Sequence, residues 1–344
     1  SNSCMEIQGH QLHWLHIGNE RVTRCWAAHL ASRELAQSYI LVGPADVGKA
    51  MVAKNFMRTL VCERRDQAGS DWPCEQCETC RQTARGIYPD FYELDVLPDK
   101  QKISIDQVRQ LLDKVGLSSL ANNYEVALIR HADQLSEPAA NALLKNLEEP
   151  QAQALFIFLV ENLSALPATI VSRSQVFRFY PVAADLIYDH LVNDWGTNRD
   201  LAKNLAQVCL GRPNLAIRFL EQPELFQDYC QTAKILLQLI TSPVLADRLA
   251  YLRQVYPSVA ISAGETEWNL WQIWLGLIRD LLLIKQDQLP LIQHWFLRDE
   301  LEKAADVLSL SVLLKIFTNL GAAREYLTAN VAPNLVFHNL AVGA

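Results

Sequence analysis

The sequence predicts an α/β nucleotide-fold domain over residues 1–180, a small helical domain over 181–222 and an all-helical C-terminal domain over 223–344. Three observations carry this. The apolar run Tyr39, Ile40, Leu41, Val42 enters a loop, Gly43 to Lys49, spelled G-x-x-x-x-G-K, and a helical pattern follows at once. Strand-like runs then alternate with helical ones as far as Pro181 and stop. Between the loop and the next strand lies a polar excursion holding four of the eight cysteines.

Residues 5–30 read as a first helical segment, with Val22, Cys25, Trp26, His29 and Leu30 on one face. After the loop, Met51, Val52, Phe56, Leu60 and Val61 give a helix running to about Cys62. A strand–loop–helix order is the context in which such a loop wraps phosphate. Glycines turn backbone N–H groups inward, the helix N-terminus adds its positive end, and Lys49 reaches the outer phosphates. Gly43, Gly48 and Lys49 are therefore the candidate nucleotide-binding residues. The next residue departs from the pattern. A Ser or Thr hydroxyl should ligate Mg²⁺ there, and Ala50 has none.

Residues 90–96 alternate as a strand. Ser104 with Gln107 makes an S-x-x-Q box that starts a helix striped by Val108, Leu111, Leu112 and Val115. Residues 125–129 form a buried strand. A helix opens at Ser136, tolerates Pro138 in its first turn and stops at Pro150. Residues 155–160 and 176–179 are the last two strands. Strands alternating with helices imply a parallel sheet covered on both faces. Residues 182–220 read as short helices broken at Gly211-Arg212-Pro213, and from Glu224 on the chain is helical. Trp268, Trp271, Trp274 and Ile278 make one apolar stripe, and Leu308, Val312, Leu313 and Phe317 another across a helix junction. Such stripes are usually core, with a packing face for another subunit as the alternative.

A net charge of −7, spread over both halves, gives no general attraction to nucleic acid. No run approaches the ~18–20 apolar residues of a membrane span, and residues 1–17 show neither a basic n-region nor an apolar h-region. The expectation is a cytoplasmic protein with no membrane partner. Cys74, Cys77 and Cys80 form C-x-x-C-x-x-C, and Cys62 precedes them by about three helical turns of sequence. Four thiolates at this spacing suit one tetrahedral structural Zn²⁺ in a knuckle over residues 62–80, leaving no open coordination position for catalysis. Iron–sulfur ligation is the rival, but the Pro that usually follows such clusters is absent.

The loop, the cysteine knuckle, Tyr88-Pro89-Asp90-Phe91, Ile105-Asp106-Gln107-Val108-Arg109, the run from Ala139 to Pro150 (A-A-N-A-L-L-K-N-L-E-E-P) and Ala168-Thr169-Ile170-Val171-Ser172-Arg173-Ser174 together resemble bacterial clamp-loader subunits of the AAA+ class. The resemblance covers residues 39–180. It implies an α/β AAA+ P-loop domain with a zinc knuckle insertion, a small helical lid domain and an all-α C-terminal collar domain. It also implies other clamp-loader subunits in a hetero-pentamer, a sliding clamp, and primed DNA reached mainly through the assembled complex as partners.

Against that family's pattern the chain lacks catalytic parts. Where an active relative ends a strand with Asp-Glu, Arg130-His131 stands, with Asp133 three residues further on. The second sensor reads Gly211-Arg212-Pro213-Asn214. Hydrolysis of ATP needs the metal that Ala50 and Arg130-His131 no longer hold, so no intrinsic ATPase is expected, while binding of ATP by backbone amides and Lys49 stays open. Ser172-Arg173 is kept, and the resemblance gives Arg173 the role of an arginine finger acting in trans on a neighbouring subunit's ATP. The rival readings are an ATP-hydrolysing motor subunit of the same family and a zinc-containing adaptor that binds protein or single-stranded nucleic acid.

Overall fold

The computed structural model describes residues 5–7, 10–12, 17–67, 71–98, 100–115, 124–149, 154–255, 270–329 and 331–343. Cys4, Pro150 and Trp268 lie outside them. The chain divides into two compact units, residues 1–186 with 211–214, and residues 187–210 with 215–344.

In the first unit, β1 (Met5–Ile7) and β2 (His10–Leu12) pair antiparallel, and β2 pairs in parallel with β4 (Asp71–Trp72). The expected helix over 5–30 is therefore corrected. Among the described residues of that stretch only α1 (Glu20–Ser32) is helical, and residues 5–7 and 10–12 join a small three-stranded sheet. Val22, Trp26 and Leu30 of α1 are buried, as the stripe predicts.

The main sheet contains β3 (Ser38–Val42), β5 (Phe91–Leu94), β6 (Glu125–Ile129), β7 (Ala154–Val160) and β8 (Gln175–Arg178), in the order β5-β6-β7-β3-β8 and all parallel. Period-two alternation sends Tyr39 and Leu41 to one face and Ile40 and Val42 to the other. On the first face α1 and α2 (Lys49–Leu60) contribute Trp26 and Phe56, stacked with centroids 4.1 Å apart. On the second, α4 (Ile105–Val115), α5 (Glu137–Glu148) and α6 (Ala168–Val171) cover Phe156 and Phe158 with Val108, Leu143 and Ile170. Both faces are thus closed, which is why the strands read as continuous apolar runs. α3 (Glu78–Ala84) begins within the knuckle and carries its last cysteine, Cys80. The Ser104–Gln107 box closes as expected, Ser104 N–H donating to Gln107 Oε1 at 3.0 Å, and Ser136 caps α5 by accepting from Ala139 N–H.

Helices α7 (Ala184–Asn193), α8 (Arg199–Val208), α9 (Pro213–Glu221), α10 (Pro223–Thr241), α11 (Leu245–Val255), α12 (Leu270–Lys285), α13 (Arg298–Val307), α14 (Leu310–Thr328) and α15 (Pro333–Gly343) complete the chain. In the second unit Trp274 and Ile278 of α12 are fully buried, and Trp271 Nε1–H donates to Leu320 O at 2.7 Å. The other stripe is divided. Ser309 caps α14 at the expected junction, Leu313 is buried, and Val312 and Phe317 face outward. No single helix among the described residues is long and apolar enough to cross a membrane.

Candidate functional site

The Gly43–Lys49 loop sits at the carboxyl end of β3, inside the sheet, where ligands of open α/β sheets collect. Its two glycines answer different demands. A Cβ on Gly43 would lie 2.5 Å from the Phe179 carbonyl oxygen, so the segment following β8 admits no side chain there. Gly48 has open space around it but a φ of 103°, which side chains resist. Lys49 is buried. Its ammonium donates to Gly43 O and, at 2.6 Å, to Pro44 O, which stretches the side chain across the loop and leaves one N–H for a ligand. Burial pulls its pKa below the ordinary lysine value, against the attraction of Glu161, Asp133 and Asp46. Asp46 itself takes a left-handed φ of 57°, and its carbonyl accepts from Asn214 N–H at 3.0 Å. Asn214, at the start of α9, therefore meets the loop. Gly211 is required just before that helix, because a Cβ would meet Pro181 at 2.6 Å and Val182 N at 2.8 Å.

At the carboxyl end of β6, where the resemblance expects metal-holding carboxylates, stand Arg130 and His131. Arg130 reaches Glu93 at 3.2 Å and Asp95 at 3.5 Å, and His131 Nδ1 lies 2.7 Å from Asp95 Oδ1. Both partners belong to β5 or the residue after it, on the side of β6 opposite β3. The pair is thus engaged at the sheet edge. Glu161, directly after β7, and Asp133, in a 3₁₀ turn after β6, act on Lys49 together with Asp46 of the loop itself. The sequence reading did not single out Glu161. Its position at the end of the strand beside β3 is the signal that would have found it.

Arg173 lies two residues beyond the end of α6. Its backbone is tied to the start of β3, since Ser38 Oγ donates to Arg173 O at 2.9 Å and lies 3.0 Å from Ser174 Oγ. Ser174 in turn donates to Ile170 O at 2.8 Å. The side chain is 37% exposed. Its Nη2 meets Glu148 Oε1 at 2.8 Å, and its Nη1 donates to Thr169 O at 3.1 Å.

The four knuckle cysteines converge. Cys62 follows α2, Cys77 caps α3 and Cys80 lies in its first turn, and all four sulfurs lie within 4.8 Å of one another, buried. Sulfurs about 2.3 Å from one tetrahedral ion stand roughly 3.8 Å apart, so a small contraction completes the site. Cys77 N–H and Cys80 N–H donate to Cys74 Sγ and Cys77 Sγ, each at 3.4 Å, and Thr79 Oγ1 lies 3.1 Å from Cys77 Sγ. Such contacts stabilise thiolate. A hydrogen bond from Cys80 draws the Cys62 thiol down to about 5 and pushes Cys80 up. The cluster can hold a metal ion, and its all-sulfur donor set fits zinc.

The parallel sheet, the glycine loop and Lys49 define a P-loop nucleotide-fold protein. Residues 18–183 match the model of a family described as DNA polymerase III, delta subunit. It is 34% identical over 148 residues to the DNA polymerase III subunit delta' of Pseudomonas aeruginosa (43% of this chain, 44% of the relative). It is 35% identical over 156 residues to that of Haemophilus influenzae (45% and 47%). It is also 33% identical over 171 residues to the DNA polymerase III subunit tau of Bacillus subtilis (50% and 29%). The matched stretches thus span less than half of each relative. A solved gamma subunit-related protein of Thermotoga maritima covers 92% of this chain and 97% of its own length, with 15% identity and a TM-score of 0.45.

Proposed function

We propose that this chain is a non-hydrolysing clamp-loader subunit of the delta-prime kind, which assists opening of the sliding clamp and its loading on primed DNA. It supplies Arg173 to a neighbouring subunit's ATP. The observation that carries the reading is the contrast within one sheet. The loop keeps its shape and its lysine, while Ala50 offers no hydroxyl and Arg130-His131 stands in place of the strand-end carboxylates. Phosphoryl transfer depends on that metal and on charge neutralisation, and asks little else of the protein. An arginine whose backbone is anchored by Ser38 and whose head is partly exposed has no such reaction to serve in its own chain.

In this reading residues 1–180 are the AAA+ domain, 181–222 the lid and 223–344 the collar through which other subunits of a hetero-pentamer assemble in the cytoplasm. Cys62, Cys74, Cys77 and Cys80 hold a structural Zn²⁺ that would tie the end of α2 to the knuckle. DNA is met mainly through the complex, in keeping with the chain's acidic charge. Delta' and tau subunits match this chain about equally well, so the choice against a hydrolysing motor rests on Ala50 and Arg130-His131.

The test is clamp- and DNA-stimulated ATP hydrolysis by the reconstituted loader containing this chain or its Arg173→Ala form, with assembly checked by size and light scattering. A fall of at least tenfold with assembly intact is expected, since a trans arginine contributes ~10³–10⁵ at a single site. Unchanged turnover sinks the trans-arginine claim. Mg²⁺-dependent hydrolysis by this chain alone, abolished by Lys49→Ala, would establish the motor reading instead.

A further inference from the structure

Glu148 occupies the last turn of α5, followed at once by Glu149 at the C-cap. Carboxylates there oppose the negative end of the helix dipole, so the position gains nothing from the helix itself. Its partner is Arg173. With Nη2 on Glu148 at 2.8 Å and Nη1 on Thr169 O at 3.1 Å, both terminal nitrogens are held by this chain's own oxygens. A guanidinium facing a carboxylate forms a neutral pair and cannot lend its full charge to a phosphate.

We propose that Glu148 is a positioning residue that holds Arg173 in reserve, so that a neighbour's phosphate must displace a carboxylate before the arginine can serve it. The proposal rests on the trans-arginine reading. Glu148 and Arg173 side chains are 51% and 37% exposed, so the pair is accessible and weak, holding its members by a factor of about two to five. A triphosphate carries more charge than one carboxylate and accepts a guanidinium in bidentate fashion. Exchange is therefore favourable once the neighbour's nucleotide comes within reach. Before that, the arginine stays on Glu148 and the neighbour's site lacks its charge.

The experiment uses the full chain in the reconstituted loader, with Glu148→Gln (the same shape without the charge), Glu148→Asp, Arg173→Ala and the Glu148→Gln/Arg173→Ala double variant. ATP turnover is measured with and without clamp and primed DNA. Glu148→Gln should raise unstimulated turnover about two- to fivefold and change the stimulated rate far less. Glu148→Asp should return the unstimulated rate toward that of the parent, and the double variant should match Arg173→Ala. If Glu148→Gln leaves unstimulated turnover unchanged or lowers it, or if its rise persists without Arg173, the role of Glu148 is overturned while the trans arginine stands. If Arg173→Ala itself changes nothing, both fall.

Discussion

Asp280 and His294 meet in the interior of the helical unit, His294 Nδ1–H donating to Asp280 Oδ2 at 2.8 Å with both side chains fully enclosed. The carboxylate also accepts the backbone N–H groups of Gln293 and His294, each at 2.8 Å. His294 Nε2 lies 2.9 Å from the Tyr229 hydroxyl, to which Gln293 Nε2–H donates at 3.1 Å. One acid on α12 thereby satisfies the irregular segment before α13 and links it to α10.

Removing that acid should cost more than its size suggests. Asp280→Ala leaves two buried N–H donors and an imidazole without their acceptor, and a loss of about 3–5 kcal/mol is expected from urea unfolding of the chain. Gly276→Ala attacks the same network sterically, since a Cβ there would lie 2.7 Å from Gln293 Oε1 and 2.9 Å from His294 Cε1. Its cost should be smaller, ~1–3 kcal/mol. Equal costs for the two would argue that the acid contributes packing alone.

The two loop glycines should separate in the same assay. Gly48→Ala meets nothing within 4 Å and suffers only from its φ of 103°, a penalty of about 1–3 kcal/mol. Gly43→Ala drives a methyl against the Phe179 carbonyl, a backbone atom of the continuing β8 segment, and must displace it. The melting temperature of Gly43→Ala is expected to be the lower. The reverse order would show that the loop yields at Gly43.

Chelation should act on the first unit. One zinc per chain is expected by elemental analysis, and Cys80→Ser should abolish it, because this sulfur is fully buried among the other three. Stripping the ion should lower the melting temperature of the unit bearing α2. Partner binding that fails while this melt is unchanged would overturn a purely structural role.

Tyr39 predicts an alkaline weakness. Burial pushes its phenol up to about 12, above the ordinary 10. Between those values the unfolded chain has lost a proton that the folded chain keeps, so stability falls as pH rises from 10 to about 12, by roughly 2–3 kcal/mol. Lys49, held below the usual lysine value by burial, acts in the opposite sense only below about 10.5. Tyr39→Phe removes the effect but orphans Ala36 N–H, which donates to the hydroxyl at 2.9 Å, at a cost of about 1 kcal/mol. The two stability curves should therefore cross above pH 10. Parallel curves would rule out Tyr39 as the cause.

What the sequence made legible follows from how local each signal is. Strands β3, β6 and β7 announce themselves because burial on both faces demands unbroken apolar runs, and the phosphate loop is a single contiguous motif. Ser104 and Ser136 cap helices through contacts three residues away. The β1–β2 hairpin was missed because three-residue strands carry too little alternation to outweigh a helical face that starts soon after. Asp280 and His294 are fourteen residues apart and Tyr229 sixty-five from His294. No periodicity connects them. The partnership of Arg173 with Glu148 is hidden likewise, since only the packing of α5 beside α6 brings them together.

The order β5-β6-β7-β3-β8 also bears on how the chain emerges from a ribosome. β3 is made first of the five strands, and both its neighbours come more than a hundred residues later, with β7 at Ala154–Val160 and β8 at Gln175–Arg178. At about 5–20 residues per second, the strand that carries the glycine loop waits roughly 5–25 s with two open edges and apolar side chains on both faces. The cysteine knuckle is complete at Cys80 and needs none of those strands. Metal capture is thus available to the nascent chain well before the sheet is, and it would hold the end of α2 in place while β3 still lacks its partners.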